Sequence, residues 1–167
     1  MKILVISDTH GDTLIKDRVY EINKDCGLFI HCGDYDLPDY MMIPFRYVKG
    51  NCDYSEDAPL ELNLNTPIGL IHVEHGSSYA FINDPLEYIK KINAKIFLVG
   101  HTHIPFFTKI DNTYVFNPGS LVRPRKTNFG TYLILNINEK TKELTYQFKG
   151  IDLKTLEIFD YDLKEFK

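Results

Sequence analysis

The sequence contains no tryptophan and only three cysteines, which are Cys26, Cys32 and Cys52. Because their number is odd and no two of them have the C-x-x-C spacing, neither a disulfide framework nor a structural zinc site is predicted. So few thiols, with no pattern for pairing, are typical of a protein in a reducing compartment. We therefore expect a cytoplasmic protein.

The chain also lacks long apolar runs and an excess of positive charge. No apolar stretch approaches the ~20 residues of a membrane span, and the short one after Met1 and Lys2 does not resemble a secretion signal, so we expect no membrane partner. The formal net charge of −4 argues against a large nucleic-acid surface, which would require a basic patch. Only a small local patch remains, formed by Arg123, Arg125 and Lys126.

Nothing in the sequence divides the chain, because it contains no repeat, low-complexity tract or linker. We predict one domain over residues 1–167, long enough to bury a sizeable core. Strands alternate with a helix at about 13–25, and a second helix begins at Asp84 and Pro85, residues typical of an N-cap and a first turn. About ten strands and two or three helices are predicted, and the second half reads mostly as antiparallel hairpins. The pattern indicates an α/β fold in which helices cover two packed sheets.

Four short polar segments each follow an apolar stretch that is typical of a buried strand. They are Ser7-Asp8-Thr9-His10, Gly33-Asp34, Gly50-Asn51-Cys52-Asp53 and Gly100-His101-Thr102-His103. In open α/β sheets the carboxyl ends of the strands meet at one rim, where ligands bind. Oxygen and imidazole donors gathered there, without a thiolate pair, suit a two-metal hydrolytic centre.

Seven residues at these strand ends are candidate metal ligands. Their spacing in the sequence assigns Asp8, His10, Asp34 and His103 to one ion. It assigns Asp34, Asn51, His75 and His101 to a second ion. The carboxylate of Asp34 bridges the two in this assignment. The donor number suits Mn²⁺, Fe, Ni²⁺ or Zn²⁺. His31 and His72 lie inside apolar strands, so we expect them to be core or supporting histidines.

The order D-x-H, G-D, G-N, H and G-H-x-H resembles the motif set of the calcineurin-like metallophosphoesterase superfamily. The Gly-Asn-Cys-Asp form of the third motif and the segment Asn117-Pro118-Gly119-Ser120 are similar to the small YfcE-like phosphodiesterases of bacteria and archaea. The resemblance implies a four-layer α/β/β/α sandwich of two packed mixed sheets with flanking helices. It also implies two divalent metal ions, commonly Mn²⁺, on one edge of the sandwich, and it supports the ligand division given above.

Two positions depart from the pattern of that superfamily. Cys52 stands where many relatives have a histidine near the leaving group, and a thiol is a weaker donor with no positive charge. Its small size also leaves room for a second ester substituent, which favours diesters over monoesters. Ser77 stands where relatives often have a second histidine, so the sequence does not define the substrate contacts at this position. The candidate metal ligand His75 is present.

The predicted function is hydrolysis of small phosphodiesters, possible substrates including cyclic nucleotides, by attack of a metal-bridging hydroxide. Asn51 orients the phosphoryl oxygens, and Asp53 either supports a histidine ligand or caps a turn. Arg125 either contacts a substrate phosphate or is solvated.

The alternatives are a non-catalytic protein-interaction scaffold of the same fold, a phosphomonoesterase and a nuclease acting on polynucleotides. A homodimer is compatible with the sequence. The predicted catalytic residues are Asp34, Asn51, Cys52 and Asp53.

Overall fold

Two mixed β-sheets form the centre of the fold in the computed structural model, which describes residues 1–163. The six-stranded sheet contains β1 (Lys2–Ile6), β2 (Leu28–His31), β3 (Arg46–Tyr47), β9 (Gly130–Ile137), β10 (Leu144–Ile151) and β11 (Ile158–Tyr161), in the spatial order β11-β10-β9-β1-β2-β3. The five-stranded sheet contains β4 (Glu61–Thr66), β5 (Gly69–Glu74), β6 (Ile96–Leu98), β7 (Phe106–Ile110) and β8 (Thr113–Asn117), in the order β4-β5-β6-β8-β7.

Each sheet has a parallel section that carries the predicted site. Strands β1, β2 and β3 run parallel, as do β5, β6 and β8. The hairpins β7–β8 and β9–β10 are antiparallel, as expected for the second half of the chain. Strand β8 pairs in parallel with β6, where Val115 lies opposite Phe97. The hairpin folds back so that its second strand, β8, lies next to β6.

The helices begin where side-chain caps occur. Helix α1 (Thr13–Ile22) begins after Asp12, whose Oδ1 accepts the Ile15 N–H at 2.9 Å, and it ends before the predicted residue 25. Helix α3 (Pro85–Ile92) begins after Asp84, as predicted, and its cap accepts the Glu87 N–H at 3.0 Å. Sequence analysis did not find the short α2 (Tyr79–Asn83) or the 3₁₀ helix at Asp39–Met42, since one turn carries too little periodicity to be recognised.

Because successive side chains of a strand point to opposite faces of the sheet, the buried apolar residues form three separate layers. Ile3 and Val5 face the other sheet, where they join Ile71 and Leu98 in a buried cluster between the sheets. The intervening residues of β1, Leu4 and Ile6, pack with Ile15 and Val19 of α1 on the outer face. On the opposite side Phe97, Val99 and Val115 pack with Ile89 of α3. The order helix, sheet, sheet, helix confirms the predicted four-layer sandwich.

The last strand, β11, lies at the edge of the six-stranded sheet, where it pairs antiparallel with β10. Residues 164–167 of the predicted domain lie outside the described residues. None of the helices in residues 1–163 combines the length and apolarity that a membrane crossing would need.

Candidate metal centre

The segments after β1, β2, β3, β5 and β6 meet at one rim of the sandwich. Backbone hydrogen bonds hold neighbouring segments together: the Asp8 N–H donates to the Gly33 carbonyl at 3.0 Å, and the His10 N–H donates to the Asp34 carbonyl at 3.0 Å. On the other sheet the Gly100 N–H donates to the His75 carbonyl at 3.1 Å. The predicted convergence of the strand ends therefore occurs, and ligands from both sheets face each other across the rim.

Six side chains of the rim stand on backbone with left-handed dihedral angles. Their φ values lie between 42° and 67°, and the residues are Asp8, His10, Asp34, Asp36, His101 and His103. A non-glycine residue in this region costs about 1–2 kcal/mol, a strain found where a functional geometry is fixed by the surrounding structure. In each loop the two strained residues are two apart, which is the spacing of the D-x-H and H-x-H motifs. Gly33 has φ 95°, and a Cβ there would lie 2.7 Å from Nδ1 of His75.

The first predicted ligand group is close together. One donor atom from each of Asp8, His10, Asp34 and His103 lies within 4.8 Å of all the others. Nε2 of His103 is 3.2 Å from Nε2 of His10 and 3.2 Å from Oδ1 of Asp8. Within residues 1–163 this buried carboxylate oxygen has no hydrogen-bond partner. An unpartnered buried oxygen facing ring nitrogens is the environment that a cation would satisfy.

The ring protons of three histidines are placed by acceptors on the protein. Nδ1 of His10 is 2.9 Å from Oδ2 of Asp36, Nδ1 of His103 is 2.7 Å from the Arg123 carbonyl, and Nδ1 of His75 is 2.8 Å from the Cys32 carbonyl. A carbonyl or carboxylate can only accept, so the proton of each neutral ring is on Nδ1. The Nε2 lone pairs therefore point into the rim, as metal-binding histidines require.

The second predicted ligand group surrounds His75. Its Nε2 lies 3.1 Å from Oδ1 of Asn51 and 3.3 Å from Oδ2 of Asp34, and the ring of His101 packs edge-on against it with centroids 5.1 Å apart. Burial alone would lower the pKa of His75, but the carboxylates of Asp34 and Asp8 raise it overall. The acceptors that favour a proton here would equally favour a cation.

Asp34 lies between the two groups. Burial alone would raise its pKa, but His75 and the Cys52 N–H, which donates to Oδ1 at 2.8 Å, hold the pKa of this carboxyl well below its usual range. Asp34 is therefore an ionised carboxylate. It belongs to the first donor-atom cluster, and its Oδ2 lies 3.3 Å from Nε2 of His75 in the second group. This position is what a bridging ligand needs.

Supporting contacts include residues that sequence analysis missed. Asp36 holds the His10 ring, and its spacing of two residues from Asp34 repeats the D-x-H pattern that could have revealed it. Ser7 Oγ donates to Oδ2 of Asp8 at 2.5 Å, and Ser120 Oγ donates to the Asp8 carbonyl at 2.7 Å. The segment Asn117-Pro118-Gly119-Ser120 contacts the histidine loop through the Asn117 side-chain amide, which donates to the Gly100 carbonyl at 2.7 Å and to Oγ1 of Thr102 at 3.0 Å.

Asp53 caps the loop instead of holding a histidine. Its two carboxylate oxygens accept the backbone N–H groups of Asp34 at 2.8 Å, Asp36 at 2.8 Å and Gly50 at 2.7 Å. Of the two roles that the sequence left open, these contacts correspond to the turn-capping carboxylate. Asp53 thereby ties the loop after β3 to the loop after β2, which carries Asp34.

A polar cleft of about 370 Å³ opens over the gathered ligands. Burial, and after it the nearby carboxylate of Asp34, raises the pKa of the Cys52 thiol to about 11, so this thiol is uncharged at neutral pH. The backbone around Arg123 and Arg125 is held by His103, whose carbonyl accepts the Arg125 N–H at 3.4 Å. The lining residues are His10, Asp34, Asn51, Cys52, His101, His103, Arg123 and Arg125.

The two histidines inside strands are buried and engaged by protein groups, as predicted. The Gly33 N–H donates to Nδ1 of His31 at 3.1 Å, which leaves Nε2–H to donate to Oγ1 of Thr9 at 2.9 Å. Burial lowers the pKa of His31 to about 3, so the ring is neutral. His72 lies 2.9 Å from Oδ1 of Asn63 and 3.4 Å from Oε2 of Glu74.

The family model of the calcineurin-like phosphoesterase superfamily domain matches residues 1–140. The chain belongs to this superfamily. It is 30% identical over 168 residues to the probable metallophosphoesterase YsnB of Bacillus subtilis, a match that covers 94% of this chain and 97% of that protein. The superfamily acts on phosphoester bonds with divalent metal ions, and the rim is the place where this chain could hold them.

Solved structures have the same fold. A predicted phosphoesterase from Streptococcus pneumoniae is 25% identical with a TM-score of 0.78, covering 96% of this chain and 97% of that one. Zinc-bound Vps29 from Entamoeba histolytica is 18% identical with a TM-score of 0.74, covering 97% and 99%. A novel archaeal phosphodiesterase is 21% identical with a TM-score of 0.66, covering 87% and 98%. At identities under 25% the last two show the fold alone.

Proposed function

We propose that this chain hydrolyses small phosphodiesters at a centre of two divalent metal ions. The observation that carries the proposal is the meeting of nitrogen and oxygen donor atoms from both sheets at short distances. Nε2 of His103 lies 3.2 Å from both Oδ1 of Asp8 and Nε2 of His10, and Nε2 of His75 lies 3.1 Å from Oδ1 of Asn51. Divalent cations bound between these atoms would make both sets of contacts favourable.

The residues divide between the two ions as their distances suggest. Asp8, His10, Asp34 and His103 would hold one ion, and Asp34, Asn51, His75 and His101 the other. Nitrogen and oxygen donors without thiolate suit Mn²⁺, the ion we expect, or Ni²⁺, Fe or Zn²⁺. Two such ions neutralise the charge of a phosphodiester and lower the pKa of water, which is the chemistry that hydrolysis requires.

The protein would contribute substrate binding and orientation. Asn51 is exposed at the cleft, where its amide can orient a phosphoryl oxygen. Arg123 and Arg125 line the same cleft and carry the positive charge that attracts a phosphate. In this proposal no side chain of the protein forms a bond to phosphorus.

Cys52 is the reason to expect diesters rather than monoesters. A phosphate monoester carries one more negative charge than a diester, and an imidazolium in the cleft would help to bind it. The thiol of Cys52 has a pKa raised to about 11 by burial and by Asp34, so it offers no positive charge. Its small side chain also leaves space for a second ester substituent.

The direct test compares a chromogenic phosphodiester with the matching monoester. The protein is stripped of metal, and Mn²⁺, Ni²⁺, Zn²⁺ or Mg²⁺ is restored in turn. Asp34→Ala removes the shared ligand, while the control Asp57→Ala removes an exposed carboxylate of the neighbouring loop. We expect metal-dependent diester turnover in the wild type and in Asp57→Ala, and none in Asp34→Ala.

The alternatives predict different results. A phosphomonoesterase would turn over the monoester faster than the diester. A non-catalytic scaffold would fail to bind stoichiometric metal, a result that metal analysis after dialysis would reveal. Stoichiometric metal without turnover of either ester would also contradict the proposal for these substrates.

A further inference from the structure

A second cavity, with charged and polar side chains among its lining residues, lies beside the metal centre and is not used by any of the roles above. It has a volume of about 470 Å³. His75 belongs to its wall, and Lys49 reaches it from the segment that carries Asn51 two residues later. The cavity therefore borders the cleft through the two loops of the second ligand group. Its lining consists of Lys49, Leu60, Glu61, Glu74, His75, Gly76, Ser77, Ser78 and Tyr88.

The walls of this cavity are fixed by the fold. The Lys49 N–H donates to the Pro59 carbonyl at 2.7 Å, which holds the start of β4 against the loop after β3. After β5 the chain turns at Gly76, whose φ is 92° and where a Cβ would lie 2.4 Å from Cγ2 of Val99. A side chain is excluded at that position, so the turn presents the small residue Ser77 to the cavity.

The floor of the cavity is a buried carboxylate with unused accepting capacity. Glu74 is 4% exposed. Its oxygens lie 3.4 Å from Oγ of Ser78 and 3.4 Å from Nε2 of His72, both at the long limit of hydrogen bonding, and it also interacts with the Tyr88 hydroxyl. An ionised carboxylate has about four acceptor positions, so further donors can be accommodated.

A second carboxylate in the lining can also accept hydrogen bonds from a bound molecule. Glu61 of β4 lies directly opposite Glu74 of β5 in the antiparallel register, so both side chains stand on the same face of the sheet. Like charges directly opposite each other are destabilising. Hydrogen-bond donors of a bound molecule between the two carboxylates would relieve this repulsion.

We propose that the cavity binds the alcohol portion of the phosphodiester substrate and that this alcohol bears hydroxyl groups, as glycerol or ribose does. This inference rests on the proposed function, since it places one ester substituent beside the metal centre. Hydroxyls match these lining residues because they donate to Glu74, Glu61 and the Tyr88 oxygen and accept from Ser77 and Lys49.

The test uses two p-nitrophenyl phosphodiesters that share a leaving group and differ in the second substituent: methyl and glyceryl. A site built around hydrogen bonds to a charged group discriminates by about 1.5–3 kcal/mol, which is roughly 10- to 150-fold. We therefore expect the kcat/KM of the glyceryl ester to exceed that of the methyl ester at least about tenfold. Equal values, or a higher value for the methyl ester, would overturn the inference.

Variants locate the preference in the cavity. Glu74→Gln and Tyr88→Phe should each lower the ratio of glyceryl to methyl kcat/KM at least about threefold, and the ratio is used because either change can alter the absolute rate. Tyr79→Phe is the matched control, since Tyr79 is 83% exposed and lies outside the lining. A ratio that is the same in all four proteins would contradict the proposed location.

A metal-free measurement separates this inference from the proposed function. Methyl glyceryl phosphate, titrated into the metal-free protein, should shift the NMR amide resonances of Ser77 and Ser78, whereas dimethyl phosphate should not. These shifts should be weaker in Glu74→Gln. If the shifts appear but no metal restores diester turnover, the proposed function fails and the cavity assignment stands. If turnover occurs without the shifts and without the glyceryl preference, the cavity assignment fails alone.

Discussion

One rim histidine, His75, is as buried as the histidines inside the strands, but rim and strand histidines differ in what their ring nitrogens meet. His75 at the rim is 2% exposed, while His31 and His72 within β2 and β5 are 0% and 1% exposed. Both nitrogens of His31 are engaged by protein partners, a backbone N–H and a hydroxyl. In His10 and His103 Nδ1 meets a protein acceptor, while the two Nε2 atoms face each other at 3.2 Å and Nε2 of His103 also lies 3.2 Å from Oδ1 of Asp8. Burial therefore does not separate the two kinds of histidine, whereas the surroundings of the second ring nitrogen do.

Replacing one histidine from each region should give the largest contrast. We expect His75→Gln to lower metal-dependent kcat/KM by at least about 10³-fold, since metal ions supply several kcal/mol of transition-state stabilisation and each 1.36 kcal/mol is tenfold. His31→Gln should stay within about tenfold of the wild type, with full metal content after dialysis. Comparable losses of metal in both variants would break the distinction between the two regions.

The pH dependence of stability should report on the strand region. Folded His31 stays neutral down to about pH 3 because burial lowers its pKa, whereas in the unfolded chain it binds a proton below about 6.5. Its contribution to the free energy of unfolding is therefore present at pH 7 and is lost as the pH falls. Between pH 7 and pH 4 this loss amounts to about 3 kcal/mol.

Chemical denaturation at both pH values measures this effect. The wild type should lose more unfolding free energy than His31→Gln over the same interval, by about the amount given above. The difference between the two slopes is used because the substitution also removes hydrogen bonds at every pH. Parallel slopes would show that the titration of His31 is not coupled to folding.

Asp36 should matter to the rim because it orients a ligand without being one. Asp36→Asn keeps an acceptor near Nδ1 of His10 and tolerates the left-handed backbone, but it removes the negative charge. Partners of ligand histidines typically contribute 10- to 100-fold to metal affinity or activity, and we expect a loss in that range. Calorimetric titration with Mn²⁺ measures it, with Asp57→Asn as the control. Unchanged affinity would show that the orientation of His10 is set elsewhere.

The smallest effect is expected at Cys52, where a further histidine would be added to the rim. Cys52→His places an exposed, chargeable ring in the cleft, and exposed charge pairs contribute only about 0.2–1 kcal/mol. The ratio of monoester to diester kcat/KM should therefore rise about two- to fivefold at pH 6, where the ring is largely protonated. If the ratio stays the same, the absence of positive charge at Cys52 does not explain a diester preference.

Sequence analysis predicted the layers and the seven gathered residues because both depend on short-range patterns. Polar residues that follow apolar runs must lie at strand ends, and parallel strands bring those ends to one edge. The same argument explains why His31 and His72, inside the runs, were expected to be structural. This prediction does not require the pairing order of the strands to be known.

Other features depend on loop geometry that no local pattern encodes. Asp53 was assigned two alternative roles, and only the positions of three amides from two loops favour the cap. The support from Asp36 requires the left-handed backbone that turns its carboxylate toward His10. The parallel pairing of β8 with β6 depends on how the preceding hairpin folds back, which the sequence of the hairpin does not specify.

The ligands come from both layers of the sandwich. Asp8 and Asp34 follow strands of one sheet, whereas His75 and His103 follow strands of the other. In the proposed centre, an ion held by residues of both sheets would link one sheet to the other. A shift of one sheet against the other would then alter the coordination of both ions, so metal affinity would depend on the alignment of the two sheets.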